Sequence, residues 1–435
     1  MSITRRSLVF AAGGAALGTT VGSSAGAAAG RGGKAGAQGA APWRPIRTLN
    51  GWTLPYTLKD GVKEFHLVAE EVEHEFAPGC RARCWGYNGS TPGPTIEAVE
   101  GDHVRILVTN RLPEPTSIHW HGILLPSGMD GVSGLSQPGI GPGETFAYEF
   151  PLRQHGTHMY HPHADELVQL GVGMMGLFII HPAGGEPEPV DRDFAFIMHN
   201  WALHPGTFRP DPSIMLDFDL WTFNSKVFPA IEPLVVRAGE RVRVRIGNVS
   251  MYNHPIHLHG HQFEVTGGDG GRWPRERWRR EVTEVVGVGQ MRDLEFIAAP
   301  GDWALHCHMS HHTMNAMGHG IPNVLGARIQ DSDAALQSLL PGMMDMGANG
   351  MSEHQEHVET MNLPGPANTL PMMSGTGPYG ALEMGGMFTV VKARSGLAPD
   401  DFLDPGWYKA PRKTVAWMVS EDPNFGNPVR AKKAT

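Results

Sequence analysis

The chain has 435 residues and a net charge of −9, with 41% hydrophobic residues, 56 glycines and 35 prolines. That length has room for two or three domains, and so much Gly and Pro suits many short strands and turns better than long helices. The acidic balance argues against nucleic acid as the main partner.

At the N-terminus, Arg5 and Arg6 precede a weakly apolar Ala/Gly run that ends near Ala29. Paired arginines before such a run resemble a twin-arginine export signal. Residues 1–38 are therefore read as signal and disordered lead, and the mature protein as periplasmic or secreted. The run is too short and Gly-rich for a membrane span, and no later segment reads as one. Cys80 and Cys84 follow, four positions apart. An exported compartment permits a disulfide between them, with two free thiols as the equal alternative.

The segment Ile96–Asn110 alternates apolar and polar residues, as a strand with one buried face does, and leads to His119-Trp-His121-Gly. Phe146–Phe150 then leads to His161-Pro-His163. The same order returns later: Leu234–Asn248 leads to His254-Pro-Ile-His257-Leu-His259-Gly, and Leu294–Ile297 to His306-Cys307-His308. His119 and His257 are offset by 138 positions and His161 and His306 by 145, so a unit of about 140 residues occurs twice. Each unit has the length and patterning of an antiparallel Greek-key β-sandwich. The expected fold class is all-β, with sandwiches at 45–185 and 190–330. The basic stretch Arg272–Arg280 is short and reads as a solvated loop.

One His-x-His pair is commonly two polar side chains facing the same way from a strand; four clusters at mirrored positions are a metal-binding pattern. Imidazole suits copper, zinc, iron or nickel, and the thiolate of Cys307 adds the soft donor that selects copper. The units differ chemically. Pro162 and Thr116 stand where Cys307 and His254 stand, and Leu167–Val172, opposite His312 and Met317, reads as apolar.

Residues 331–435 read as a C-terminal extension. Nine methionines lie between Met343 and Met387; their thioethers are soft ligands for Cu(I) and equally good fillers of irregular apolar surface. Met384–Val391 resembles a terminal strand, and the tail with Trp407, Tyr408 and Trp417 is expected to order against another surface.

Taken in order, these motifs resemble the multicopper oxidases over residues 80–330, with His-x-His-Gly, His-x-His, His-Pro-x-His-x-His and His-Cys-His-x3-His-x4-Met all present. The short interval between the second and third clusters resembles the two-domain, small-laccase-like branch, built from cupredoxin-like domains with the type 1 copper in the second. The resemblance implies four coppers per chain. Type 1 would be held by His254, Cys307 and His312 with Met317 axial, and type 2 by His119 and His257. The type 3 pair would take His121, His161, His163, His259, His306 and His308. It also implies a homotrimer with the trinuclear clusters at subunit interfaces.

The implied activity is laccase-like: one-electron oxidation of a phenol, aromatic amine or low-valent metal ion, coupled to four-electron reduction of O2 to water. A cuprous oxidase or copper-binding protein for copper tolerance is the alternative, and a copper nitrite reductase a weaker one. Protons are expected from Asp130 first, then from Asp165 and Glu166.

Overall fold

A computed structural model describes residues 43–204, 206–314, 368, 370, 375–382 and 384–416. The export-type leader, Met317, Trp417 and most of the Met-rich segment lie outside the described residues. The regular secondary structure of the described part is almost wholly strand and forms two sandwiches, and among the described residues no helix is long and apolar enough to cross a membrane.

In the first sandwich, one sheet runs Thr57–Lys59, Val62–Ala77, His103–Asn110, Thr145–Pro151, with Cys80–Tyr87 also paired to Val62–Ala77. The facing sheet runs Ile96–Val99, Gly176–His181, Gly156–His161, His119–His121. Phe65, Val104, Ile106, Trp120, Phe150, Tyr160 and Phe178 fill the space between. The alternation in His103–Asn110 is the cause: Val104, Ile106 and Val108 point inward while the intervening residues face out.

The second sandwich repeats this plan. One sheet carries Arg192–Trp201, Arg241–Asn248, Met291–Ile297 and Phe263–Gly268; the other runs Leu234–Arg237, Phe388–Arg394, Gly301–Cys307, His254–Leu258, Thr283–Val286. The strand beside the one bearing Cys307 thus comes from beyond residue 331, and it pairs antiparallel with Gly301–Cys307 and parallel with Leu234–Arg237.

The two sandwiches share a third core. Met159, Leu177 and Ile179 of the first meet Ala195, Ile197 and Met291 of the second. Strands Gly156–His161, Gly176–His181 and Arg192–Trp201 are consequently buried along their whole length. This covers the polar side of Arg241–Asn248 as well. Arg245 makes a bidentate contact with Asp193 at 2.9 Å and donates to Thr157 Oγ1 at 3.0 Å, while Thr157 donates to Asp293 at 2.7 Å. Buried guanidinium groups need such partners, since an unpaired charge there is strongly unfavourable.

Cys80 and Cys84 lie on one strand, both buried and both free. Four residues of extended chain separate their Cα atoms by about 13 Å, beyond the roughly 7 Å limit for a disulfide. Free thiols are the realised alternative. Burial pushes the Cys80 thiol up to about 12 and that of Cys84 upward too.

Candidate metal centres

The end of strand Gly301–Cys307 and the start of strand His254–Leu258 bring Cys307 and His254 together, and a short 3-10 turn at Ser310–His312 folds His312 back over them. All three are buried. His254 Nδ1 and His312 Nδ1 are 3.2 Å apart, and Cys307 Sγ lies 3.6 Å from the first and 3.3 Å from the second. A point about 2 Å from all three atoms exists in their plane, the length of a metal–imidazole bond.

The chemistry of these three donors suits a cation. Burial pushes His254 down to about 3 and His312 to about 2, and the Cys307 thiol up to about 12. Two neutral imidazoles and a thiol that can ionise only beside a positive charge form the donor set of a metal site. Its His2Cys chemistry suits copper, and the geometry fits. His254 is oriented by Ser250: the serine hydroxyl donates to Asn248 Oδ1 at 2.7 Å, and its oxygen accepts from His254 Nε2 at 2.7 Å, leaving the Nδ1 lone pair aimed at the triangle. His312 is held differently, stacked on Trp221 with centroids 4.6 Å apart and planes at 21°. His311 lies outside the triangle with its ring exposed.

Four more histidines gather on the first sandwich. His119 stands opposite His161 in the antiparallel pairing of their strands. His121 Nδ1 approaches His161 Nε2 at 3.2 Å, and the His119 ring lies 5.4–5.8 Å from those of His121, His161 and His163. Backbone carbonyls fix the tautomers: His119 Nδ1 donates to Asp130 O at 2.9 Å and His161 Nδ1 to Pro162 O at 3.0 Å, so each turns Nε2 inward. Gly131, at φ +81°, permits the first contact, because a Cβ there would lie 1.6 Å from Ile118 O.

The second sandwich repeats the arrangement. His257 faces His306; His259 Nε2 and His306 Nε2 are 3.1 Å apart, and the His257 ring is 5.3 Å from His308. His257 Nδ1 donates to Val282 O at 2.6 Å and His306 Nδ1 to Cys307 O at 2.8 Å. Among the described residues, no ring contact joins one quartet to the other; each stands on its own sandwich, and His259 and His308 face outward.

Of the expected acids, Asp130 brings a carboxylate oxygen to 3.4 Å from His119 Nδ1, and Glu166 lies between His161 and His163 at 3.6 and 3.7 Å. Asp165 instead occupies the left-handed position that starts helix Glu166–Gly171, exposed and with no recorded contact to either quartet. Other histidines serve elsewhere: His103 pairs with Glu149, His155 with Glu100 and His204 with Asp211, while His199 packs on Trp201. His319 lies outside the described residues.

In the first sandwich the place of the Cys/His triangle holds a hydrogen bond. Thr116 Oγ1 donates to Gln169 Oε1 at 2.7 Å, and Gln169 Nε2 donates to Pro115 O at 2.9 Å. The stretch Leu167–Val172 is therefore not simply apolar: Gln169, fully buried, fills the site with a neutral pair. Sequence reasoning also passed over Ser250, Trp221 and Tyr252. An Asn-x-Ser four residues before His254 was a weak signal for the first, and nothing in the spacing marked Trp221.

Two sandwiches, a buried His2Cys triangle and paired histidine quartets define a copper protein of the oxidase type. Multicopper oxidase family models match residues 69–185 and 207–324. The chain belongs to the multicopper oxidase family. It is 30% identical over 278 residues to a probable nitrite reductase-hydroxylamine oxidoreductase fusion protein of Kuenenia stuttgartiensis, covering 60% of this chain and 31% of that one. It is 46% identical over 114 residues to copper resistance protein A of Escherichia coli, covering 26% and 18%. These matches span under a third of the curated relatives' own length. Among solved structures, the blue copper oxidase from Nitrosomonas europaea is similar, with a TM-score of 0.56, 26% identity and coverage of 76% of this chain and 85% of that one.

Proposed function

We propose that the protein is a laccase-like oxidase that takes electrons singly from a phenol, aromatic amine or low-valent metal ion and uses them to reduce O2 to water. One observation carries this reading: Cys307 belongs to the buried triangle while His306 and His308, bonded to either side of it, belong to the second quartet. A single run of three residues thus links an electron-accepting site to an oxygen-reducing one.

In this reading His254, Cys307, His312 and Met317 would hold the type 1 copper. His119 and His257 hold type 2, and His121, His161, His163, His259, His306 and His308 hold the type 3 pair, four coppers per chain in all. Bound there, copper supplies one-electron transfer at the first site and oxygen reduction at the other. The residues do the rest. Carbonyls of Asp130, Pro162, Val282 and Cys307 keep each donor nitrogen pointing inward. Asp130 and Glu166, in contact with ligand histidines, are the groups best placed to pass protons; Asp165 is less well placed.

Two incomplete quartets on separate sandwiches, the second with His259 and His308 exposed, support a homotrimer in which the first sandwich of one subunit meets the second of the next. The Arg5-Arg6 leader supports twin-arginine export to the periplasm or beyond. The likeness to copper resistance protein A and the methionines of 343–387 favour Cu(I) as a second substrate, with copper tolerance as the purpose. Nitrite reduction is disfavoured, because it calls for no paired type 3 histidines.

Copper counting, visible spectroscopy and oxygen uptake test this together. Four coppers per chain, an intense thiolate-to-copper band and uptake with 2,6-dimethoxyphenol are expected. Copper binding without turnover of either the phenol or Cu(I) would leave a storage protein instead.

A further inference from the structure

We infer that His311, not the buried ligand His312, is the residue against which the electron donor sits. This rests on the oxidase reading above and deepens it. His312 has no exposed surface. Trp221 stacks on one face, and the rings of Tyr252 and His254 close in at 5.5 and 4.9 Å. No donor from solvent can touch it.

His311 can be touched. Its ring is exposed and meets His312 edge-on at 4.2 Å and Trp221 at 5.3 Å, so three rings in mutual contact have one member at the surface. Electron transfer slows steeply with distance, and this is the shortest ring-to-ring path from water to the triangle among the described residues. An exposed imidazole edge backed by the Trp221 indole suits a planar aromatic donor. In the step proposed, a phenol loses one electron and its hydroxyl proton; the proton goes to water, a phenoxyl radical leaves, and the electron passes through the His311 ring to the one-electron acceptor, the copper(II) that His254, Cys307 and His312 would hold.

The test uses the copper-loaded full chain and its variants His311→Ala and His311→Phe. Both should keep the copper count and the visible band. Anaerobic bleaching of that band by 2,6-dimethoxyphenol, followed by stopped flow, should slow about tenfold or more in His311→Ala and recover in large part in His311→Phe, which restores a ring. An unchanged bleaching rate in His311→Ala overturns the inference alone. Loss of the band in both variants also overturns it, by making His311 a ligand. A wild-type chain with no such band overturns the inference together with the oxidase reading.

Discussion

His257 and His306 stand directly opposite each other on adjacent antiparallel strands, as His119 and His161 do in the first sandwich. In each sandwich the second of these histidines donates Nδ1 to the carbonyl of the residue that follows it, Pro162 in one case and Cys307 in the other. The duplication is thus a duplication of histidine geometry, and the residue that follows is Pro162 in one copy and the sulfur-bearing Cys307 in the other.

Replacing that sulfur isolates its contribution. Cys307→Ser should abolish the visible band and bring oxygen uptake to background, while about three of four coppers remain. Metal analysis beside the spectrum checks this; retained colour would remove Cys307 from the metal.

Assembly is the second expectation. Sedimentation of the copper-loaded protein should give three times the mass of one mature chain, and activity should disappear on dilution in step with dissociation. A fully active monomer is the contrary result, since neither quartet alone supplies eight imidazoles.

Ser250→Ala removes the acceptor for His254 Nε2 and leaves that donor buried without a partner. Copper affinity at the triangle should fall about 10- to 100-fold, read by competition with a chelator, with the quartets unaffected. Equal affinity in variant and parent would mean that packing alone orients His254.

Arg245→Ala leaves buried Asp293 without its cation and Asp193 with Arg243 alone. A loss of about 3–5 kcal/mol is expected, measured by urea unfolding. Arg245→Met should not rescue it, because Asp293 would remain uncompensated. A shift within error would show that water reaches the seam between the sandwiches.

Stability of the copper-free protein should fall as pH drops from about 6.5 toward 4. Burial lowers His74 and His199 to about 4, so folding holds them neutral while the unfolded chain takes up protons below 6.5. Their contribution is complete above 6.5 and is lost as pH falls. Asp219 acts in the opposite direction. Burial raises it to about 6, so its folded form keeps a proton that the unfolded chain releases, and its contribution is lost as pH rises from 3.8 through 6. These two histidines, together with His254 and His312, which burial lowers further, outweigh the one aspartate and give a net decline on acidification. Thermal melts of the parent and of His74→Gln check the sign, the variant showing the shallower decline.

Most of the candidate ligand histidines were legible because they lie two apart on or just beyond strands, so spacing alone places them on one edge of a sheet. Polar partners were not. Arg241, Arg243 and Arg245 alternate with valines in a pattern that normally means a solvated face, yet a second sandwich covers them, and tertiary burial has no local signature. Trp221 lies 91 positions from the ring it stacks on, beyond any periodic signal. Gln169 was hidden among aliphatic neighbours whose helix turns it inward.

Strand Phe388–Arg394 inserts between Leu234–Arg237 and Gly301–Cys307, Cys307 N donates to Met387 O at 3.1 Å, and Met387 N donates to His312 O at 3.0 Å. A nascent polypeptide still on the ribosome therefore has a gap in the middle of this sheet until residue 394 has emerged. The thiol pocket closes only after this strand has been made, so truncation anywhere before residue 388 would open the edge of the sulfur-bearing strand to aggregation and forfeit copper at that pocket.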